Sequence, residues 1–225
     1  MKRNYRAIIF DRDGVLAHFH EEKIAAVLET QFSLSMHELQ DSFNQVEKQK
    51  GFPKNPIHAE EMIRDFWNKL GEQKDLPENI VQELKQFDFY QFMQPFAEVP
   101  QVLATLAAQG WSIGVLSNYT YTDLEQSLRK MDLMTYITSA LSPTIINCRK
   151  PEPAAYLSIA RELAVQPAEC LYFDDEPDLV AGARALGMTA YLVDRQLTEQ
   201  QIDQYQIKDL TAVFDIVSPS MLTKV

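Results

Sequence analysis

Asp11 and Asp13 stand two residues apart at the end of the apolar run Ala7-Ile8-Ile9-Phe10, and Gly14 follows them. Such a run reads as a buried strand, in which side chains i and i+2 share a face. Two carboxylates side by side repel, and one tends to hold a proton unless a cation intervenes. The pair suits a nucleophilic carboxylate, a second carboxyl that trades protons, and a hard cation between protein and an anionic substrate. Gly14 lets the chain turn sharply straight afterwards. Taken alone, the same five residues also fit a solvated surface turn or a calcium loop.

Three further strand ends carry chemistry. The run 111–118 closes in Ser117-Asn118. The Ser117 hydroxyl can donate to an anionic oxygen, and the Asn118 backbone N–H can add a second donor. An ordinary strand-to-helix turn, capped by Asn118 or Thr120, fits the same residues. Arg149-Lys150-Pro151-Glu152-Pro153 precedes a helical pattern. Lys150 can set a compact positive charge over the two Asp, whereas Arg149 reads as solvated. The run Leu171-Tyr172-Phe173 ends in Asp174-Asp175-Glu176. Adjacent side chains on a strand point to opposite sides, so one of the two Asp faces the site at full strength. Asp175 or Glu176 can also compensate the helix that Pro177 opens. Together the four ends supply what a phosphoryl group and a divalent cation need.

The elements that must hold these residues alternate. Apolar, β-branched runs over 7–11, 111–118, 136–140, 170–175, 189–194 and 212–217 are separated by helical periodicity over 99–109, 121–130, 152–164 and 177–186. Alternation of this kind predicts an α/β fold: a Rossmann-like parallel sheet core with helices on both faces. Residues 18–96 break the pattern. They show no convincing strand, and four helices are expected over 21–32, 36–50, 58–70 and 78–87. The expected division is a core of 1–17 and 96–225 with an α-helical cap of 18–95. An insertion directly behind the Asp-x-Asp strand would sit over its carboxyl end, where open parallel sheets bind ligands. His18, His20, Lys54, His58 and Trp67 are the insertion's candidates for touching substrate, although Trp67 reads as core packing and His58 as a helix-end residue.

Bulk properties narrow the function. The 225 residues carry a formal charge of −11, which argues against a general nucleic-acid binder. Cys148 and Cys170 are the two cysteines and show no zinc-ligand spacing. The basic stretch 1–6 runs into too short an apolar segment for a signal peptide, and no segment is long and apolar enough to span a bilayer. A cytoplasmic location and no membrane partner are expected; the oligomeric state is left open.

The four motifs in this order resemble the haloacid dehalogenase-like hydrolase superfamily, in its branch with a helical cap inserted after the first strand. The resemblance implies Mg2+ and an aspartyl-phosphate intermediate. It makes Asp11 the nucleophile and a metal ligand. Asp13 becomes the acid and base, binding metal through its backbone carbonyl. Ser117, Asn118 and Lys150 hold the phosphoryl oxygens, with Gly14 counted among the substrate-binding residues. Lys150 also steadies the nucleophile, Asp175 binds metal, and Asp174 shares that role directly or through water. Arg12 departs from the pattern, since the family usually has an apolar residue there; it either pairs elsewhere or raises the local positive potential. A phosphatase acting on a small phosphorylated metabolite is the expected function. Alternatives on the same fold are a 2-haloacid dehalogenase, which generally lacks the acid found here as Asp13, and a phosphomutase. A non-catalytic binding protein is the remaining reading.

Overall fold

The computed structural model describes residues 5–118 and 124–217. The chain opens with β1 (Ala7–Phe10) and the short β2 (Ala17–Phe19). Four helices follow: α1 (Glu21–Phe32), α2 (Met36–Lys50), α3 (Pro56–Gln73) and α4 (Glu78–Gln86). Two of the four starts, those of α2 and α3, are capped by side chains. Ser35 and Glu38 close a capping box on α2, and Asn55 caps α3 with Pro56 in its first turn. Next come β3 (Met93–Pro95), α5 (Val99–Ala108), β4 (Ser112–Leu116) and α6 (Leu124–Lys130). Then β5 (Ser139–Leu141), α7 (Pro143–Ile146), α8 (Pro153–Glu162), β6 (Cys170–Asp174) and α9 (Pro177–Ala185) follow. The last elements are β7 (Thr189–Val193), β8 (Gln206–Ile207) and α10 (Val213–Val217).

Six strands form one parallel sheet in the order β5-β4-β1-β6-β7-β8. Strand β1 is central, with β4 and β6 beside it. All four of its residues are fully buried, and they alternate between two apolar layers. Ile8 and Phe10 join Leu103, Leu106, Leu128 and Val213 on one face; Ala7 and Ile9 join Ala155, Ile159, Val180 and Ala183 on the other. The layers clamp β1 from both sides and fix the register with which Asp11 leaves it. Across the sheet, Phe10, Phe173 and Tyr191 stack at centroid distances of 5.3 and 5.5 Å. Helices α1–α4 bury an apolar cluster of their own, including Leu28, Val46, Phe66, Trp67, Leu70 and Leu84.

Three expectations need correction. Residues 212–217 are helical rather than extended. Leu210, Val213 and Ile216 are buried at intervals of three, which is a helix spacing, and the sheet ends instead on β8. Residues 18–96 do contain strand: β2 and β3 pair antiparallel, Ala17 with Pro95 and Phe19 with Met93, at the two ends of the helical insertion. The strand expected over 136–140 lies at Ser139–Leu141, because Met134–Tyr136 makes a 3-10 turn. The first residues of the helix expected over 121–130, and Thr120, lie outside the described residues. Among the described residues, no helix is long and apolar enough to cross a membrane.

Candidate active site

The strand ends meet. The Asp11 backbone N–H donates to the Phe173 carbonyl at 2.8 Å, so the pairing of β1 with β6 runs one residue past the strand and brings Asp11 beside Asp174. Lys150 lies between them, its Nζ 2.8 Å from Asp11 Oδ1 and 2.8 Å from Asp174 Oδ2. All three side chains are buried. Asp174 Oδ2 also accepts a short hydrogen bond from the Tyr172 hydroxyl, and its Oδ1 accepts the Glu176 N–H at 3.0 Å. Both Asp174 oxygens are therefore occupied, while its neighbour Asp175 is exposed. Asp11, Asp174 and Asp175 each bring a carboxylate oxygen within 4.8 Å of the others. The Asp13 carboxylate lies apart from that cluster, on the Arg12 guanidinium.

The electrostatics follow from burial. Desolvation lifts Asp11 to about 7, against the pull of Lys150 and with the push of Asp174 and Asp13. Desolvation and Asp174 lift Asp175 to about 6. Burial works against the Lys150 charge, but Asp11 and Asp174 outweigh it and hold the ammonium above its ordinary pKa. Three carboxylates thus share a pocket with one buried cation, and the surplus negative charge favours a proton or a further cation. An all-oxygen donor set suits a hard divalent ion.

Gly14 makes that cluster possible. Its φ is +70°, and a Cβ built there would lie 2.1 Å from Asp175 Oδ2. Gly14→Ala should therefore strain the turn and push the Asp175 carboxylate out of the cluster. The expected result is a much higher divalent-metal concentration for half-maximal activity, read by metal titration. An unchanged metal requirement would show that Asp175 does not need this close approach.

A family model for haloacid dehalogenase-like hydrolases matches residues 5–187. The chain belongs to that family. A phosphatase of Mycobacterium tuberculosis is 30% identical over 220 residues, covering 95% of this chain and 98% of that protein. The fold is similar to a crystal structure of a phosphatase from Thermococcus onnurineus, with TM-score 0.62 and 21% identity over 95% of this chain and 98% of that one. It is also similar to an L-2-haloacid dehalogenase from Xanthobacter autotrophicus, with TM-score 0.69 and 18% identity over 96% and 99%. The protein is thus a hydrolase, and the relatives named as phosphatases support phosphatase activity.

In this haloacid dehalogenase-like hydrolase several residues do more than their sequence context announces. The Asn118 side chain clamps the Lys150 backbone: its Nδ2 donates to the Lys150 carbonyl at 2.9 Å and its Oδ1 accepts the Lys150 N–H at 2.8 Å. Ser117 is buried at the end of β4, its N–H bonded to Leu141. Arg149 is not simply solvated. Its Nη1 lies 3.1 Å from Glu47 Oε1 on α2, and its guanidinium sits 5.1 Å from the Phe52 ring centroid. Arg195, which no motif announced, donates to the carbonyls of Gly14 at 3.2 Å and Val15 at 2.5 Å while packed on Phe96. It pins the turn behind Asp13. The only available signal was an arginine just past an apolar strand.

The insertion's candidates divide. Trp67 is buried, tilted against Phe66 and stacked on Phe89, and it also borders the insertion's cavity. His58 sits at the start of α3, its N–H bonded to Asn55. His20 bonds Gln94 across the β2–β3 pair, and His18 packs on Phe96. A cavity of about 780 Å³ within the helical insertion is lined by aromatics, among them Phe43, Phe66 and Phe87, and reaches Lys130 of α6. None of the strand-end acids, nor Lys150, lines it.

Proposed function

We propose that the protein is a magnesium-dependent phosphatase acting on a small phosphorylated metabolite through an aspartyl-phosphate on Asp11. The observation that carries this reading is the buried Asp11–Lys150–Asp174 bridge beside an exposed Asp175 and a second acid two residues from the nucleophile. An Asp11 oxygen attacks phosphorus while the ester P–O bond breaks, and Asp13 gives its proton to the leaving oxygen. Water then attacks the same phosphorus, Asp13 takes its proton, and the bond to Asp11 breaks, releasing phosphate. Ser117, the Asn118 N–H and Lys150 receive the phosphoryl oxygens; the Gly14 N–H, expected to join them, instead donates to the Ala17 carbonyl at 2.9 Å. Lys150 also holds Asp11 in place, and its ammonium offsets negative charge as it builds up. Asp11, Asp175 and the Asp13 carbonyl would hold the Mg2+, with Asp174, whose two oxygens already accept hydrogen bonds, joining directly or through water. When bound, it would neutralise phosphoryl charge. Residues 1–17 and 96–225 act as the core, and residues 18–95 as a cap that contacts the rest of the substrate.

Two measurements test this. After chelation, magnesium should restore phosphate release from aryl and alkyl phosphates, and no halide should be released from 2-haloacids. Halide release faster than phosphate release would favour the dehalogenase reading instead.

The second test uses pH. Asp11 and Asp175 are lifted above their ordinary 3.8, so their contribution to stability is complete below that value and is lost as pH rises through about 6 and about 7. Magnesium binds the ionised carboxylates and so reverses the loss. The rise in melting temperature caused by magnesium should therefore be larger at pH 8 than at pH 5. An equal rise at both values would count against a carboxylate metal site.

A further inference from the structure

Arg12 is the largest fully buried side chain among the described residues, with no exposed surface. A buried guanidinium is costly unless it is paired and hydrogen-bonded, so its placement calls for a physical account. Its planar fork lies on the next residue along the chain: Nε is 3.1 Å from Asp13 Oδ1 and Nη2 is 2.8 Å from Asp13 Oδ2. The third nitrogen, Nη1, is 3.0 Å from the Ser127 hydroxyl, which itself donates to the Leu124 carbonyl at 2.7 Å within α6. The guanidinium is thus held by a buried hydroxyl of α6 on one side and grips a carboxylate on the other. The Asp13 side chain stays 44% exposed, so one edge of the carboxylate faces outward. A carboxylate offers about four lone-pair sites, and the fork takes two of them. The others stay available for a proton.

We infer that Arg12 is a positioning residue for the hydrolytic reaction: it fixes the Asp13 carboxyl in the orientation from which a proton reaches the leaving oxygen, using α6 as its anchor. The inference rests on the reading of Asp13 as the acid given above. An aspartate on a turn has two free torsions and would otherwise sample several orientations. A two-point fork removes both freedoms, and lysine, a point charge, cannot reproduce it. Sites that depend on orientation lose on the order of 10²-fold when a group is misplaced by about 1 Å.

The leaving group separates this role from a merely structural one. Alkoxides need the Asp13 proton for departure far more than aryl oxides do. The measurement is single-turnover formation of the aspartyl-phosphate with magnesium present, from an aryl phosphate and from an alkyl phosphate. Wild type, Arg12→Lys, Arg12→Met, Ser127→Ala and Asp13→Asn would be compared. Arg12→Lys and Arg12→Met should slow the alkyl substrate on the order of 10²-fold, and the aryl substrate much less, with KM little changed. Ser127→Ala leaves the fork in place but loosens its anchor, so it should show a smaller loss of the same kind. It also serves where the Arg12 variants fold poorly. Equal losses on both substrates in the Arg12 and Ser127 variants, while Asp13→Asn still separates them, would overturn the role of Arg12 alone. No separation even in Asp13→Asn would overturn the acid role of Asp13, and the Arg12 role with it.

Discussion

Asp11→Asn should lower phosphate-ester turnover by roughly four to six orders of magnitude, the scale seen when a catalytic nucleophile is removed. The substitution keeps size and shape and removes the attacking charge. It should not damage the fold. Asp11 is lifted to about 7 chiefly because burial disfavours its charge, so the neutral amide relieves a cost at neutral pH. Lys150 keeps Asp174 as a partner. The melting temperature is therefore expected to hold or rise while activity disappears. Near-normal turnover in a well-purified sample would end the covalent mechanism.

Lys150→Met is the second large effect, and it should strike stability and activity together. The ammonium is buried and joins two buried carboxylates. Removing one partner of such an arrangement costs about 3–5 kcal/mol, because uncompensated charge stays behind in a low-dielectric site. Denaturant titration would read that loss. Asp174→Asn added to Lys150→Met should recover much of the stability without recovering activity, since under the proposed mechanism the phosphoryl group still lacks its buried cation and the metal lacks one carboxylate. If the double variant regained turnover as well, Lys150 would be a scaffold residue and no more.

Much of this architecture was legible because its signals are local. Helices α1 and α2 begin and end where their periodicity says they should, and β1 and β6 are the apolar runs that bear the acids. The segment 212–217 misled because a short apolar run rich in Val and Ile fits either a strand or a buried helix; only its packing decides. The strands β2 and β3 were missed because each has three residues and is made by a partner more than seventy positions away. At the site, the motifs could be seen, but the contacts between them could not. Nothing in the sequence says that Asn118 turns its amide onto the Lys150 backbone, that Arg12 folds back onto Asp13, or that Arg195 reaches the turn at Gly14. Each depends on distances set by the whole sheet.

Arg149 and Lys150 are neighbours on the chain, yet they belong to opposite mechanical regimes. The Lys150 bridges are buried, and ionic strength hardly touches them. The Arg149–Glu47 pair is half-exposed, contributes at most about 1 kcal/mol, and weakens with salt. One peptide bond therefore joins the stiffest ion pair of the site to a loose clasp on α2. Salt therefore weakens the hold of Arg149 on α2 while leaving the charge at Lys150, one residue along, in place.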